Sequence, residues 1–175
     1  MYKTISNKII REFNPCYDPY EIIKDEEEEL PVIEWVNKYR EFIKSDVDII
    51  WLLLRYEYLS DKDLRLFAVW CARESLKSVE NPDKRSINAV NIAEKYANGE
   101  VTKEELDAAE VEAVEAACSA AISVSRQAWS AARSASRAAN AAWAASMAWS
   151  ASMAANAPWP VTQATQLDKL LTYFK

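Results

Sequence analysis

Arg126, Ser130, Arg133, Arg137 and Asn140 follow one another at intervals of 4, 3, 4 and 3 positions. On an unbroken helix that spacing makes a single stripe, with Trp129 and Trp143 at its border. No acid occurs between Ala116 and Leu167, so these arginines have no local ion-pair partner. Planar guanidinium groups beside indoles suit recognition of a carboxylate, a phosphate or a base. A second candidate is the run Asp25, Glu26, Glu27, Glu28 and Glu29. Five adjacent acids can mimic a nucleic-acid backbone or dock on a basic partner. Each has a plainer reading too. The stripe can be a solvent face, or can pair with acids of the first half; the run can be a solvated loop.

Catalytic chemistry finds little support. The chain has no His, which removes His-based acid–base and nucleophilic catalysis and leaves no basis for a zinc site. Its one glycine, Gly99, cannot build a phosphate-cradling loop. Acids abound before residue 116, yet nothing marks one pair of them. Cys71 and Cys118 lie in apolar helical stretches, where cysteine behaves as a small hydrophobe. With Cys16 they make three widely separated cysteines, the pattern of a reduced cytosolic chain rather than a disulfide framework. The expectation is a protein that is not an enzyme, takes no cofactor or metal, and works by binding.

The elements that must carry these residues are helical. The chain has 175 residues, 50% of them hydrophobic and 27% charged, which fits one domain with a sizeable core. The formal net charge of −6 is uneven: residues 1–115 carry −10 and residues 119–175 carry +4. Such asymmetry often marks an interaction polarity, though helical domains also segregate charge. There is no signal-peptide pattern at the N-terminus and no strongly apolar run of membrane-spanning length, so a soluble cytoplasmic protein is expected.

Residues 1–30 read as an irregular acidic segment with at most one short helix, and 31–175 as one helical domain. After Pro31, the residues Val32, Trp35, Val36, Tyr39, Phe42 and Ile43 have amphipathic spacing. Ser45 to Asp48 reads as a helix start, and Val47 to Leu59 is apolar on nearly every side, which belongs at the centre of a fold. Ser60 to Asp63 restarts the chain, and Leu64, Phe67, Ala68, Cys71 and Val79 trace one face. Asn81-Pro82-Asp83 is a turn. The next helix runs from about Lys84 to Asn98 and is closed by Gly99. Thr102 and Glu105 have capping-box spacing.

From Ala108 to Ala157, 22 of 50 residues are Ala. A continuous helix of that length would span about 75 Å, against a domain diameter of roughly 40 Å. The segment therefore folds back, near Ser123 to Ser125 or near Asn140, or it pairs with another chain. A last amphipathic helix within 161–175 places Leu167, Leu170, Leu171 and Phe174 on one face. The fold class expected is all-α: a multi-helix bundle of a 31–100 core, Ala-rich helices over 104–157, and the C-terminal helix.

Two blocks carry a family resemblance: residues 59–73, containing Leu-Arg-Leu-Phe-Ala at 64–68, and residues 93–106, containing Tyr-Ala-Asn-Gly-Glu at 96–100. Together with the Ala/Trp tail at 138–146, they make the chain resemble the alanine-rich immunity-protein family of bacterial and phage genomes. The likeness covers roughly residues 46–157 and leaves 1–30 outside. It implies neutralisation of a bacterial toxin by direct binding. In phage it would imply blocking a host defence effector or sequestering its phosphorylated signal molecule. Family tails alternate Ala with many Asp and Arg; this tail carries Ser and no acid, so no acidic tail function carries over. The expectations are an inhibitory binding protein, a sponge gripping a small phosphorylated ligand through Arg126, Arg133 and Arg137, or an assembly protein that self-associates through its Ala-rich helix. No membrane and no specific DNA binding are expected.

Overall fold

The computed structural model describes residues 1–15, 17–43, 45–77, 79–122 and 163–175. The chain begins with a short strand β1 (Thr4–Ser6) and helix α1 (Asn7–Glu12), followed by a 3₁₀ turn, Pro19–Glu21, and strand β2 (Glu29–Pro31). Then come α2 (Val32–Tyr39), prolonged by the 3₁₀ turn Arg40–Phe42, α3 (Asp46–Leu53), α4 (Asp61–Lys77), α5 (Lys84–Ala97) and α6 (Lys103–Ile122). The last described elements are α7 (Gln163–Leu171) and the 3₁₀ turn Thr172–Phe174. The architecture is mainly α. The strands form one antiparallel pair, with Ile5 opposite Leu30.

The N-terminal segment holds the one short helix allowed for it, and differs from expectation in its strand pair and its place in the core. Ser6 caps α1 by accepting from the Ile9 N–H at 3.3 Å. Ile5, Ile9, Ile10 and Ile23 are all buried in the same core as α3 and α7. The buried Asn7 amide donates to the Ile23 carbonyl at 2.8 Å, which ties the 3₁₀ turn back to α1. These few isoleucines are spaced among Lys3, Lys8 and Arg11. Their apolar density is too low to read as a core element until β2 arrives to pair with β1.

Helix α3 is central, as its composition requires: Ile49, Ile50, Leu52 and Leu53 are buried. Ser45 caps it by accepting from the Val47 N–H at 3.2 Å. It stops at Leu53, short of Leu59. The Arg55 N–H donates to the Leu53 carbonyl at 2.9 Å, with Leu54 at φ −78° and ψ 63°. That is an inverse γ-turn, which ends the helix and redirects the chain. Tyr58 and Leu59, beyond the turn, are still buried.

Local capping sets the remaining starts. The Ser60 hydroxyl accepts from the Asp63 N–H at 3.1 Å. Asp83 caps α5 by accepting from the Arg85 N–H at 2.8 Å. Thr102 and Glu105 make both bonds of a capping box, at 3.3 Å and 2.8 Å. Gly99 at φ 75° closes α5 in the left-handed region that glycine tolerates. Expected turn and helix boundaries from 81 to 105 agree with the structure.

Packing runs in sequence through the helices. α7 packs on α3 and touches α4; α4 packs on α5, and α5 on α6. Leu167 and Leu170 of α7 are fully buried in the large core. Arg40 joins three elements: it makes a bidentate pair with Asp46 at 2.8 and 2.9 Å and reaches Asp168 at 3.2 Å. A smaller core of Val69, Ala72, Leu76, Val90, Ala93 and Leu106 lies between α4, α5 and α6. Ala89, Ala109 and Ala113 meet where α5 and α6 pack, and such small side chains let two helix backbones approach closely. Among the described residues, no helix is long and apolar enough to cross a membrane.

Candidate binding site

The acidic run divides into two parts. The Glu28 carboxylate accepts hydrogen bonds from Lys38 and Tyr39. The Lys38 contact, followed by that of Tyr39, holds the Glu28 carboxyl below the usual carboxylate range. Glu29 lies in β2 and accepts from the Thr4 hydroxyl of β1. These two acids therefore fasten β2 to α2 and β1. Asp25, Glu26 and Glu27 are exposed. Asp25 accepts from the Glu27 N–H at 3.0 Å, and Glu26 takes the Tyr20 hydroxyl, which raises that phenol's pKa. Asp25, Glu26 and Glu27 thus sit on a turn with internal hydrogen bonds, and Glu29 is exposed beside them on β2. The stripe of Arg126, Trp129, Arg133, Arg137, Asn140 and Trp143 lies outside the described residues.

A cation among aromatic rings emerges elsewhere, just beyond α3. The Arg55 guanidinium carbon lies 4.4 Å from the Phe13 ring centroid and 4.2 Å from that of Trp51. Three elements place these groups. Phe13 is the C-cap of α1, Trp51 is on the last turn of α3, and Arg55 follows the γ-turn at Leu54. Around them Tyr2, Phe13 and Tyr58 form a triangle with ring centroids 5.8 to 6.4 Å apart, and Tyr58 meets Phe174 at 6.4 Å. The Tyr2 N–H donates to the Glu57 carbonyl, and its hydroxyl donates to Glu12 at 2.9 Å, which fixes the rim.

Burial lowers the Arg55 pKa, with Glu57 opposing the shift. A guanidinium remains charged at neutral pH all the same. Among the described residues no carboxylate lies within ion-pair distance of it. Its Nε is buried without a hydrogen-bond partner, and so is Oε2 of Glu57. Tyr56 alongside is 60% exposed. A half-buried cation close to two rings, beside an exposed phenol, has the chemistry to pair with a carboxylate or another planar anion. Sequence reasoning missed this site. Trp51 and Arg55, four apart at the end of the most apolar stretch, were its only local signal.

A groove of about 370 Å³ lies between the C-terminal half of α4 and α5, lined by Arg73, Leu76, Lys77, Val79, Ile87 and Val90 among others. Its cations are already engaged: Arg73 reaches Asn91 at 3.2 Å and pairs with Glu94, and Lys77 pairs with Glu74. Cys71 is buried, and burial pushes its thiol pKa far up, which suits a core residue and not a nucleophile. Among the described residues no cluster of acids and cysteines has the makings of a metal site.

No family model, no curated protein and no solved structure matches the chain.

Proposed function

We propose that this is a non-catalytic inhibitory binding protein of the immunity or counter-defence type. In this reading it acts in the bacterial cytoplasm and neutralises a toxin or defence effector by direct contact. The observation that carries the proposal is the Arg55 site. Arginine, tryptophan and tyrosine are the residues that most often dominate binding energy at protein interfaces, and here they share one surface with a cation left unneutralised. A partner carboxylate at Arg55 would supply the ion pair that the described residues do not. The exposed acids Asp25, Glu26 and Glu27 offer a second, oppositely charged contact. The residue blocks at 59–73 and 93–106 add the direction of the resemblance.

The test is capture from the native host with the full chain as bait, alongside Arg55→Glu. The expected result is one stoichiometric protein partner, lost or weakened at least tenfold by the substitution while the circular dichroism spectrum is unchanged. Recovery of the same partner by Arg55→Glu would remove the site from the interface; recovery of none by the parent would sink the reading. Mass measured under native conditions separates the rivals. A co-purifying phosphorylated small molecule favours a sponge, and a defined oligomer without a foreign chain favours an assembly protein.

A further inference from the structure

The connection from α5 to α6 holds the pair Asn98-Gly99, and Gly99 is the one glycine of the chain. Both residues are exposed. Asparagine before glycine is the most reactive setting for a side-chain amide, because no Cβ shields the next backbone nitrogen from the amide carbon. Other asparagines are worse placed for that chemistry. Asn88 and Asn91 precede Ala89 and Ile92 inside α5, where the helix holds the following nitrogen. Asn14 and Asn81 precede Pro15 and Pro82, whose nitrogens carry no proton.

The turn at Asn98 has the two bonds of a Schellman motif. The Gly99 N–H donates to the Tyr96 carbonyl at 3.0 Å, and the Glu100 N–H to the Lys95 carbonyl at 2.9 Å. Asn98 is at φ −88° and ψ −3°. A five-membered ring between its side chain and the Gly99 nitrogen needs ψ turned well away from zero, so the motif must open first. Helix ends open at far lower cost than a core does. Nothing lies within 4 Å of where a Cβ on Gly99 would be, so the turn has room to move.

We propose that Asn98 is a site of spontaneous covalent modification, losing its amide through a succinimide formed with the Gly99 nitrogen when the end of α5 opens. Solvent hydroxide takes the Gly99 N–H proton, and the nitrogen attacks Cγ of Asn98. A C–N bond forms and the Cγ–Nδ2 bond breaks. The departing nitrogen takes a proton from water and leaves as ammonia, which restores the hydroxide. Water then opens the ring at either carbonyl. Opening at Cγ leaves aspartate; opening at the backbone carbonyl leaves isoaspartate, with the chain running through the side chain. No atom changes oxidation state. Either product places a carboxylate at the negative end of the α5 dipole. Isoaspartate also adds one carbon to the backbone inside the motif. The modification therefore loosens the joint between α5 and α6. This inference is independent of the Arg55 site and of what the protein binds.

Peptide mapping by mass spectrometry, on the full chain aged in warm, mildly alkaline buffer, tests it. Trypsin separates the sites: Asn88 and Asn91 fall within 86–95, and Asn98 within 96–103. The peptide with Asn98 should gain the mass of one amide-to-acid change and split into two isomers, isoaspartate the more abundant. Conversion there should exceed that at Asn88 and Asn91 at least tenfold, and should rise several-fold more in urea, where the motif is melted. Gly99→Ala, compared with the parent in urea so that folding plays no part, should slow conversion at least tenfold. Asn98 reacting no faster than Asn88 and Asn91 would overturn the proposal, as would equal rates with and without Gly99→Ala. Equal rates in native buffer and in urea would overturn the opening step. Asn98→Asp, which copies one product, should lower Tm by about 1 to 3 °C; an unchanged Tm would overturn the loosening.

Discussion

Between Phe13 and Trp51 the Arg55 side chain gains from both rings, on the order of 0.5 to 1 kcal/mol for each contact where it is half exposed. That gain depends on a flat cation. Arg55→Lys keeps the charge but loses the plane and the fork, so it should bind the partner more weakly than the parent and more tightly than Arg55→Glu. Identical affinity for Arg55→Lys and the parent, measured by calorimetry, would show that only net charge counts there. Two carboxylates set an acid limit. The Arg85 side-chain hydrogen bond, reinforced by the α5 N-cap bond, lowers the pKa of Asp83. Lys38 and Tyr39 do the same for Glu28. Each folded-state pKa lies below its unfolded value, so each contribution is complete above the ordinary carboxylate range and is lost as pH falls through the folded pKa. Tm should therefore hold from neutrality down to about pH 5 and fall below about pH 4. Asp83→Asn should lower Tm at pH 7 and show a shallower acid decline; a decline as steep as the parent's would free Asp83 of any role in it.

Among elements, the best-read boundaries were those set by one or two adjacent residues. Ser45, Asp83, Thr102 and Gly99 each act on a neighbouring backbone group, so type and spacing reveal them. Thr102→Ala removes one bond of the capping box and should cost about 1 kcal/mol, read as a shift in urea midpoint at constant m. Gly99→Ala should also destabilise. Open space surrounds the position, so its whole cost is the left-handed backbone, roughly 1 kcal/mol. If Gly99→Ala matched the parent, α5 would be ending by some other means. Elements that depend on distant partners were not legible. β1 exists because β2 pairs with it, and α1 because Ile9 and Ile10 reach the core of α3. The Arg55 site was hidden for the same reason. Phe13 comes from the segment read as irregular, and the γ-turn that aims Arg55 interrupts a stretch whose composition favours continued helix.

Taken whole, the molecule joins its first and last described elements in one core, with Ile5 and Leu167 both fully buried there. Leu167→Ala should cost about 3 kcal/mol by leaving a cavity and should lower Tm accordingly; a cost below about 1 kcal/mol would mean the site collapses around the smaller side chain. Arg40 and Asp168 are in contact although 128 positions apart in the chain. Contacts of that separation carry a large loop-closure entropy and slow folding. They also bear on synthesis. A nascent chain on the ribosome can assemble α4, α5 and α6 from neighbouring sequence as they emerge. The core around α3 stays open on the α7 side until Leu167 and Leu170 have been made. Prematurely terminated copies would thus expose Ile49, Leu52 and Leu53 and be open to proteolysis, so the cell would accumulate complete chains and few fragments.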